Sequence, residues 1–431
     1  MDWSDQMIPV RYLRLAMLAT ALAISATGCV SDDLQPDPGD PSQLQVLTGW
    51  TSGPDRKALY DTLAVLDVAE PGIRVLDESI AGPRELVEQV LTERIANGNS
   101  PDSAAVSVGW ALWSRADAGE LQDLTDLLPD AEIESVFNRD LLALTSLDGG
   151  IYGIPTGVQR VNVMWSNAAI LRDAGVDAAA PADLDAWLTD LEVVRASGLE
   201  YPLAMGDATM QLQLFESVLV ADLGGAFYRD LWTHGGTWST PQISTAIDHF
   251  DQLLAYSDPT TRSMPADELV QRVVTGEAAY TVLADSSLPT FEAGPLDRDF
   301  RAAPVPGTDG VFDLRADAFV LPTGAGHRDS AISWLEVVAS TKGQAAFAAG
   351  RGAIPARTGA GAAFVIPYQV DAMWALDHEL IVPSLEGGVA ASPAWTDRIA
   401  SAVTRFVRDH RREVLNTELR AAADEALGGG A

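Results

Sequence analysis

A chain of 431 residues, 47% of them hydrophobic, can bury a large core and is too long for one average domain, so two lobes are expected. Lys and Arg total 28 against 61 Asp and Glu, a formal net charge of -33. Such a surface repels phosphate backbones and anionic headgroups, which argues against a nucleic-acid partner. Lys57 and Lys342 are the only lysines, so arginine carries nearly all the positive charge. GC-rich coding is one reading of this balance and adaptation to salt is the alternative.

The N-terminus reads as an export signal. Arg11 and Arg14 precede the apolar run LAMLATALAISATG, Leu15 to Gly28, which is too short to span a membrane. The small residues Ala26, Thr27 and Gly28 lead into Cys29, the sole cysteine, so no intramolecular disulfide forms. The segment resembles a bacterial lipobox, with residues 1–28 as signal peptide and Cys29 as the lipidated residue; ordinary cleavage near Ser25-Ala26 is the alternative. Asp2 and Asp5 are unusual before such a run, and a start at Met7 would remove them. Residues 29–43, acidic and rich in Pro, Gly and Ser, read as a flexible tether to a membrane anchor.

The folded body opens with a strand through Leu44, Val46 and Leu47, then Pro54 starts a helix carrying Leu59, Leu63 and Leu66. A strand over 73–76, a helix from Pro83, a strand over 103–108 and a helix carrying Leu112 and Trp113 follow. That alternation predicts an α/β lobe with a mostly parallel sheet. GIYGIPTGVQRVNVMWSN, residues 150–167, then places Gln159, Arg160 and Asn162 inside an apolar, strand-like run. Buried polar groups need partners, so this stretch predicts a special site. A second α/β run follows: helices capped by Asn167 and Asp183, strand-like 203–205, helices over 212–220, 243–256 and 269–275, and strands at 278–283 and 319–321. A helix carries Trp334, and the chain is helical from Thr396.

Catalytic signatures are missing: there is no P-loop, HExxH or GxSxG pattern. His234, His249, His327, His378 and His410 lack metal-ligand spacing, so neither metal nor cofactor is expected.

At this point particular stretches carry a resemblance. TGWTSGPDRKAL, DGGIYGIPTGVQRVNVMWSN, LFESVLVADLGGAFYRDLW, APVPGTDGVFDLRADAFVLPTGA, WLEVVASTKGQAAF and GRGAIPAR, running from Thr48 to Arg357, resemble extracellular solute-binding protein family 1. The nearest branch is that of glucose- and mannose-binding subunits of ABC importers. The resemblance implies a two-lobed periplasmic-binding-protein-like fold of type II, with residues 44–156 and 318–357 in one lobe and 157–317 and 358–431 in the other. Crossings are implied near 154–158, near 313–317 and after Arg357. A lipid-anchored monomer at the outer face of the membrane, capturing a sugar and delivering it to permease subunits, is the implied function. A sensory or scaffold lipoprotein that lost transport, and a secreted glycan-processing enzyme, are the alternatives.

Sugars offer hydroxyls at the rim and C–H faces above and below, so carboxylates, amides, arginines and an aromatic plate suit them. Trp50 stands at a strand-to-helix turn, where open α/β sheets bind ligands. The resemblance adds Asp55, Ser107, Gln159, Asp285, Asp317 and Arg351 as ligand-binding positions, with Arg160 and Asn162 tying the hinge to neighbouring backbone. Several glucose-branch aromatics and histidines are absent: Gly49 replaces one of a tryptophan pair, Ala208 and Ser286 replace tryptophans, Ser107 and Gln159 replace histidines, and Glu386-Gly387 replaces another. A wider cleft with poorer stacking follows, suited to a larger saccharide, to a different polar solute, or to weak capture.

Overall fold

Five consecutive buried residues, Gln43–Leu47, form strand β1. A strand buried on both faces belongs in the middle of a parallel sheet. Accordingly β1 pairs in parallel with β2 (Arg74–Asp77) on one side and with β3 (Ser103–Ser107) on the other. The helices Gly53–Ala69 and Arg84–Ala96 connect these strands, each with a proline at or beside its N-terminus, where a missing N–H costs nothing. Described residues are 42–128, 133–177, 179–233, 236–293, 300–364 and 366–428 of the computed structural model, all within the unit Pro36–Ala431. The signal segment, Cys29, the tether up to residue 41 and His234 lie outside them.

A small hairpin of β4 (Ser146–Leu147) and β5 (Gly150–Ile151) precedes the polar-in-apolar stretch, which forms β6 (Ile154–Arg160) and β7 (Val163–Asn167). Later strands are β8 (Leu203–Ala204), β9 (Tyr280–Val282), β10 (Phe300–Pro304), β11 (Val311–Val320) and β12 (Leu380–Pro383). The first sheet runs β12-β11-β3-β1-β2, with β6 also paired to β11; the second runs β10-β7-β9-β8. Each sheet has its own core. Phe319, Trp334 and Phe347 fill the first. Trp187, Phe215, Phe250 and Trp395 fill the second, and a smaller cluster around Trp165 and Phe291 also lies against the second sheet. Two sheets with separate cores make the two-lobed α/β body.

Three features differ from the sequence expectation. The second sheet is not mostly parallel: β7 pairs antiparallel with both β10 and β9, and only β8–β9 is parallel. The cause is continuity, because β7 follows β6 after two residues and takes its direction from that passage rather than from a βαβ crossover. The Pro367–His378 helix, expected with the second lobe, packs Ala372, Ala375 and Leu376 into the first core. Strand β11 starts at Val311, well before the expected 319–321, because its first half pairs with β12 and its second half with β3. The chain leaves the first sheet after Arg160, returns between Pro304 and Val311, and passes back near Val389, which packs in the first core while Ala390 packs in the second.

Candidate functional site

Polar residues of the passage find their partners in both neighbouring backbone and neighbouring side chains. Arg160 donates through Nε to the Asn162 side-chain oxygen at 3.1 Å and through Nη2 to the Val311 carbonyl at 2.7 Å, and pairs with Glu379 at 2.9 Å. Asn162 donates to Thr308 Oγ1 and the Val311 carbonyl, and accepts from the Asp313 N–H. These bonds tie β6 to the start of β11 at the point where the chain changes sheet.

Five of the seven candidate ligand-binding residues meet in one network. Asp317 faces Ser107 across the β11–β3 pair and accepts its hydroxyl at 3.4 Å. Arg351 bridges Asp317 at 2.5 Å and Asp55 at 2.8 Å, and its guanidinium lies 5.4 Å from the Trp50 ring. The indole also packs against Phe319 and Phe347. Burial pushes the Asp317 carboxyl up, but Arg351, Arg84 and Arg315 outweigh it and hold it below the usual carboxylate range. Gln159, buried, accepts two bonds from Arg315, at 3.0 and 2.8 Å, and Arg315 lies 3.5 Å from Glu386. Asp285 stands apart, 2% exposed, accepting from the Arg160 N–H and the Tyr368 hydroxyl while its Oδ1 has no hydrogen-bond partner among the described residues. Burial pushes it up to about 7, although Arg160, Arg315 and Tyr368 all pull it down.

A cavity of about 390 Å³ lies elsewhere between the two sets of elements, within the ordinary range for small-molecule sites. Arg84, Glu85 and Glu88 of the Arg84–Ala96 helix and Trp110 at the start of the Trp110–Asp117 helix form one wall. Thr209 and Leu212 of the Ala208–Leu223 helix, with Glu386, Thr396 and Asp397, form the other. Both walls are built at strand-to-helix turns, after β3 and after β8, the carboxyl ends at which open α/β sheets take ligands. A larger hollow, about 700 Å³, lies instead along edge strand β10 and the Pro367–His378 helix. None of the seven candidates lines the smaller cavity, yet two reach it through one residue: Gln159 through Arg315 to Glu386, and Asp317 through the charge of Arg84.

Trp110, 37% exposed, presents an aromatic surface to the cavity. The sequence reading passed over it for Trp113, which donates instead to the Ala143 carbonyl. The overlooked signal was Gly109-Trp110 at the end of a strand, the same pattern as Gly49-Trp50. Gly109 has φ +77°, and a Cβ there would sit 2.4 Å from the Val389 carbonyl oxygen, so only glycine fits. The Trp110 N–H donates to that same carbonyl, and Arg84 donates to the Gly387 carbonyl at 3.0 Å. Burial raises the Glu88 carboxyl, with Arg115 and Arg84 opposing. The site therefore offers hydrogen-bonding carboxylates, one guanidinium, two threonines and an exposed indole between two lobes. Among the described residues no group of three or more His, Cys, Asp or Glu side chains is placed to hold a metal, and no helix is long and apolar enough to cross a membrane.

A family model described as bacterial extracellular solute-binding protein matches residues 68–345. An "Uncharacterized ABC transporter extracellular-binding protein" of Pyrococcus horikoshii is 28% identical over 94% of this chain and 96% of its own. A "Probable sugar-binding periplasmic protein" of Mesorhizobium japonicum is 26% identical over 96% of this chain and all of its own. The solved structure of the bacterial solute receptor AcbH, described with a preference for β-D-galactopyranose, superposes with a TM-score of 0.75 at 17% identity, over 90% of this chain and 99% of that one.

Proposed function

The chain belongs to the bacterial extracellular solute-binding proteins, and from that premise we propose that it is the substrate-binding subunit of an ABC importer, capturing a mono- or oligosaccharide between its lobes. The observation that carries this reading is the cavity of about 390 Å³ walled by both lobes, with Trp110 for a C–H face and Glu88, Glu386, Thr209 and Arg84 for hydroxyls. The sugar-binding name of the Mesorhizobium relative supports it.

In this reading Trp110 and its polar neighbours touch the solute. Trp50, Asp55, Ser107, Gln159, Asp317 and Arg351 are supporting residues, and Asp285 braces the passage at Arg160. The lobes exchange chain at 161–162, 305–310 and 389–390. A solute contacting both lobes favours the closed arrangement, which docks on the permease. The lipobox-like segment at Cys29 would anchor the receptor as a lipoprotein at the outer membrane face. The solute leaves unchanged, so the reading assigns no catalysis.

The test is thermal unfolding with D-glucose, D-galactose, D-xylose, L-arabinose, maltose and chitobiose in excess. A binder raises Tm by mass action, and the Trp110→Ala variant loses that rise while keeping its ligand-free Tm. Flat melting temperatures across the panel, or reducing-sugar release from its disaccharides, would overturn the reading.

A further inference from the structure

A pair of carboxyls sits in the second core where an apolar residue would be expected. Glu216, in the middle of the Ala208–Leu223 helix, and Asp313, on β11, are both fully buried. Their surroundings are unequal. Glu216 accepts from the Tyr228 hydroxyl at 2.6 Å, from the Glu386 N–H at 2.9 Å, from the Ser384 hydroxyl at 3.3 Å and from the Leu385 N–H. Among the described residues neither carboxyl oxygen of Asp313 accepts a bond from an N–H or hydroxyl donor, and Asp313 pairs with Val382 on β12, two residues before the segment that Glu216 holds, so the Glu216 charge acts on it. A buried, donor-less carboxylate near a second carboxylate is strongly disfavoured, which favours retention of a proton by the pair.

The position of the pair gives it a consequence. Three of the four donors to Glu216 belong to residues 384–386, and the same segment supplies Glu386 to the cavity wall and the Gly387 carbonyl that holds Arg84. We propose that Glu216 and Asp313 are positioning residues that share one proton, and that this proton keeps segment 384–388 seated as the inner wall of the cavity. This rests on the cavity being the solute site, and makes capture a proton-dependent act favoured on the acid side.

The charged and titratable groups facing the pair decide the sign. From segment 384–388 comes Glu386, adding negative charge, with Arg315 3.5 Å from it; from β6 comes Arg160, already paired with Glu379; from the Gly225–Asp230 helix comes Tyr228, a donor. Burial raises both carboxyls, Glu216 to about 7 because its donors oppose the shift, and Asp313 well above its ordinary range because only Arg160 opposes it. In the unfolded chain Asp313 ionises near pH 4. Its raised folded value therefore means that stability falls as pH rises from there toward the folded value. Losing the shared proton places two charges beside Glu386 and loosens the segment.

The test needs no sugar. In amide hydrogen exchange on the full chain, protection of the Leu385 and Glu386 N–H groups, taken relative to the Leu44 and Val46 N–H groups, falls by about tenfold between roughly pH 6.5 and 9 in the wild type. In Asp313→Asn, which cannot ionise, it stays level. The Tm advantage of Asp313→Asn over wild type widens over the same span. A pH-independent protection ratio in the wild type, or an Asp313→Asn profile that follows it, overturns the proposal. If the variant does not fold, the wild-type profile alone decides. A sugar panel without binders would defeat the transport reading while leaving this profile to stand or fall by itself.

Discussion

Arg351 shows most plainly how one side chain organises a buried network. It is 12% exposed, and it neutralises Asp317 and Asp55 at once while lying over Trp50. Removing one partner of a buried pair leaves an uncompensated charge. Arg351→Ala is expected to destabilise the protein by about 3 kcal/mol in urea unfolding, whereas Arg351→Ala combined with Asp317→Asn recovers part of that loss. Asp317 also predicts a pH response. Its carboxyl is held below the usual range, so the pair's stabilisation is complete above the unfolded carboxylate range and is lost as pH falls through the folded value. Wild type should therefore lose Tm in acid more steeply than Asp317→Asn. At this scale the sequence was informative about chemistry and not about depth. Trp50 was picked from its strand-end turn, and Asp55, Ser107, Asp317 and Arg351 from the family resemblance; these five assemble in one network. Their mutual pairing, and the meeting of Trp110 and Arg84 at one cavity, depends on elements far apart in the chain.

Among the elements, the β6–β7 passage is the most constrained. Gly157 adopts φ +59°, and a Cβ there would lie 2.6 Å from Phe347 Cε1 and 3.0 Å from Arg351 Nη1. Gly157→Ala forces both a left-handed backbone on a residue with a side chain and a clash with the Arg351 network; a loss of about 2 kcal/mol is expected by denaturant titration. The polar residues here were legible as an anomaly because Gln159, Arg160 and Asn162 interrupt an apolar run. Helix starts were legible for a similar reason: Asn167 and Asp183 accept N–H bonds from Ile170 and Ala186, as caps do. What the sequence concealed was strand direction. A run such as Val163–Asn167 has the same hydrophobicity whether its neighbours are parallel or not, and only the continuity of β6 into β7 decides it. The extent of β11 was hidden for the same reason, since Arg315 and Asp317 break its apolar pattern at the points where they serve the site.

For the molecule as a whole, a formal charge of -33 is the dominant long-range term. Like charges on a folded surface repel, and the repulsion is screened within about 10 Å at 0.1 M salt. Tm is expected to climb steadily as NaCl rises from about 10 mM to about 1 M, most steeply at the low end; an unchanged or falling Tm would show that local pairing already offsets the excess. The interleaving of the two cores has a separate consequence. The first core draws on residues from Leu44 to Val389, and the second on residues from Met164 to Ala423. Strand β11 must also find β3, more than two hundred positions upstream, before the first sheet is whole. The first half can therefore close only once the chain has been made as far as Val389, and the second only once it reaches Ala423. Such high contact order makes folding slow, so the chain stays open for longer after synthesis than one built from local contacts.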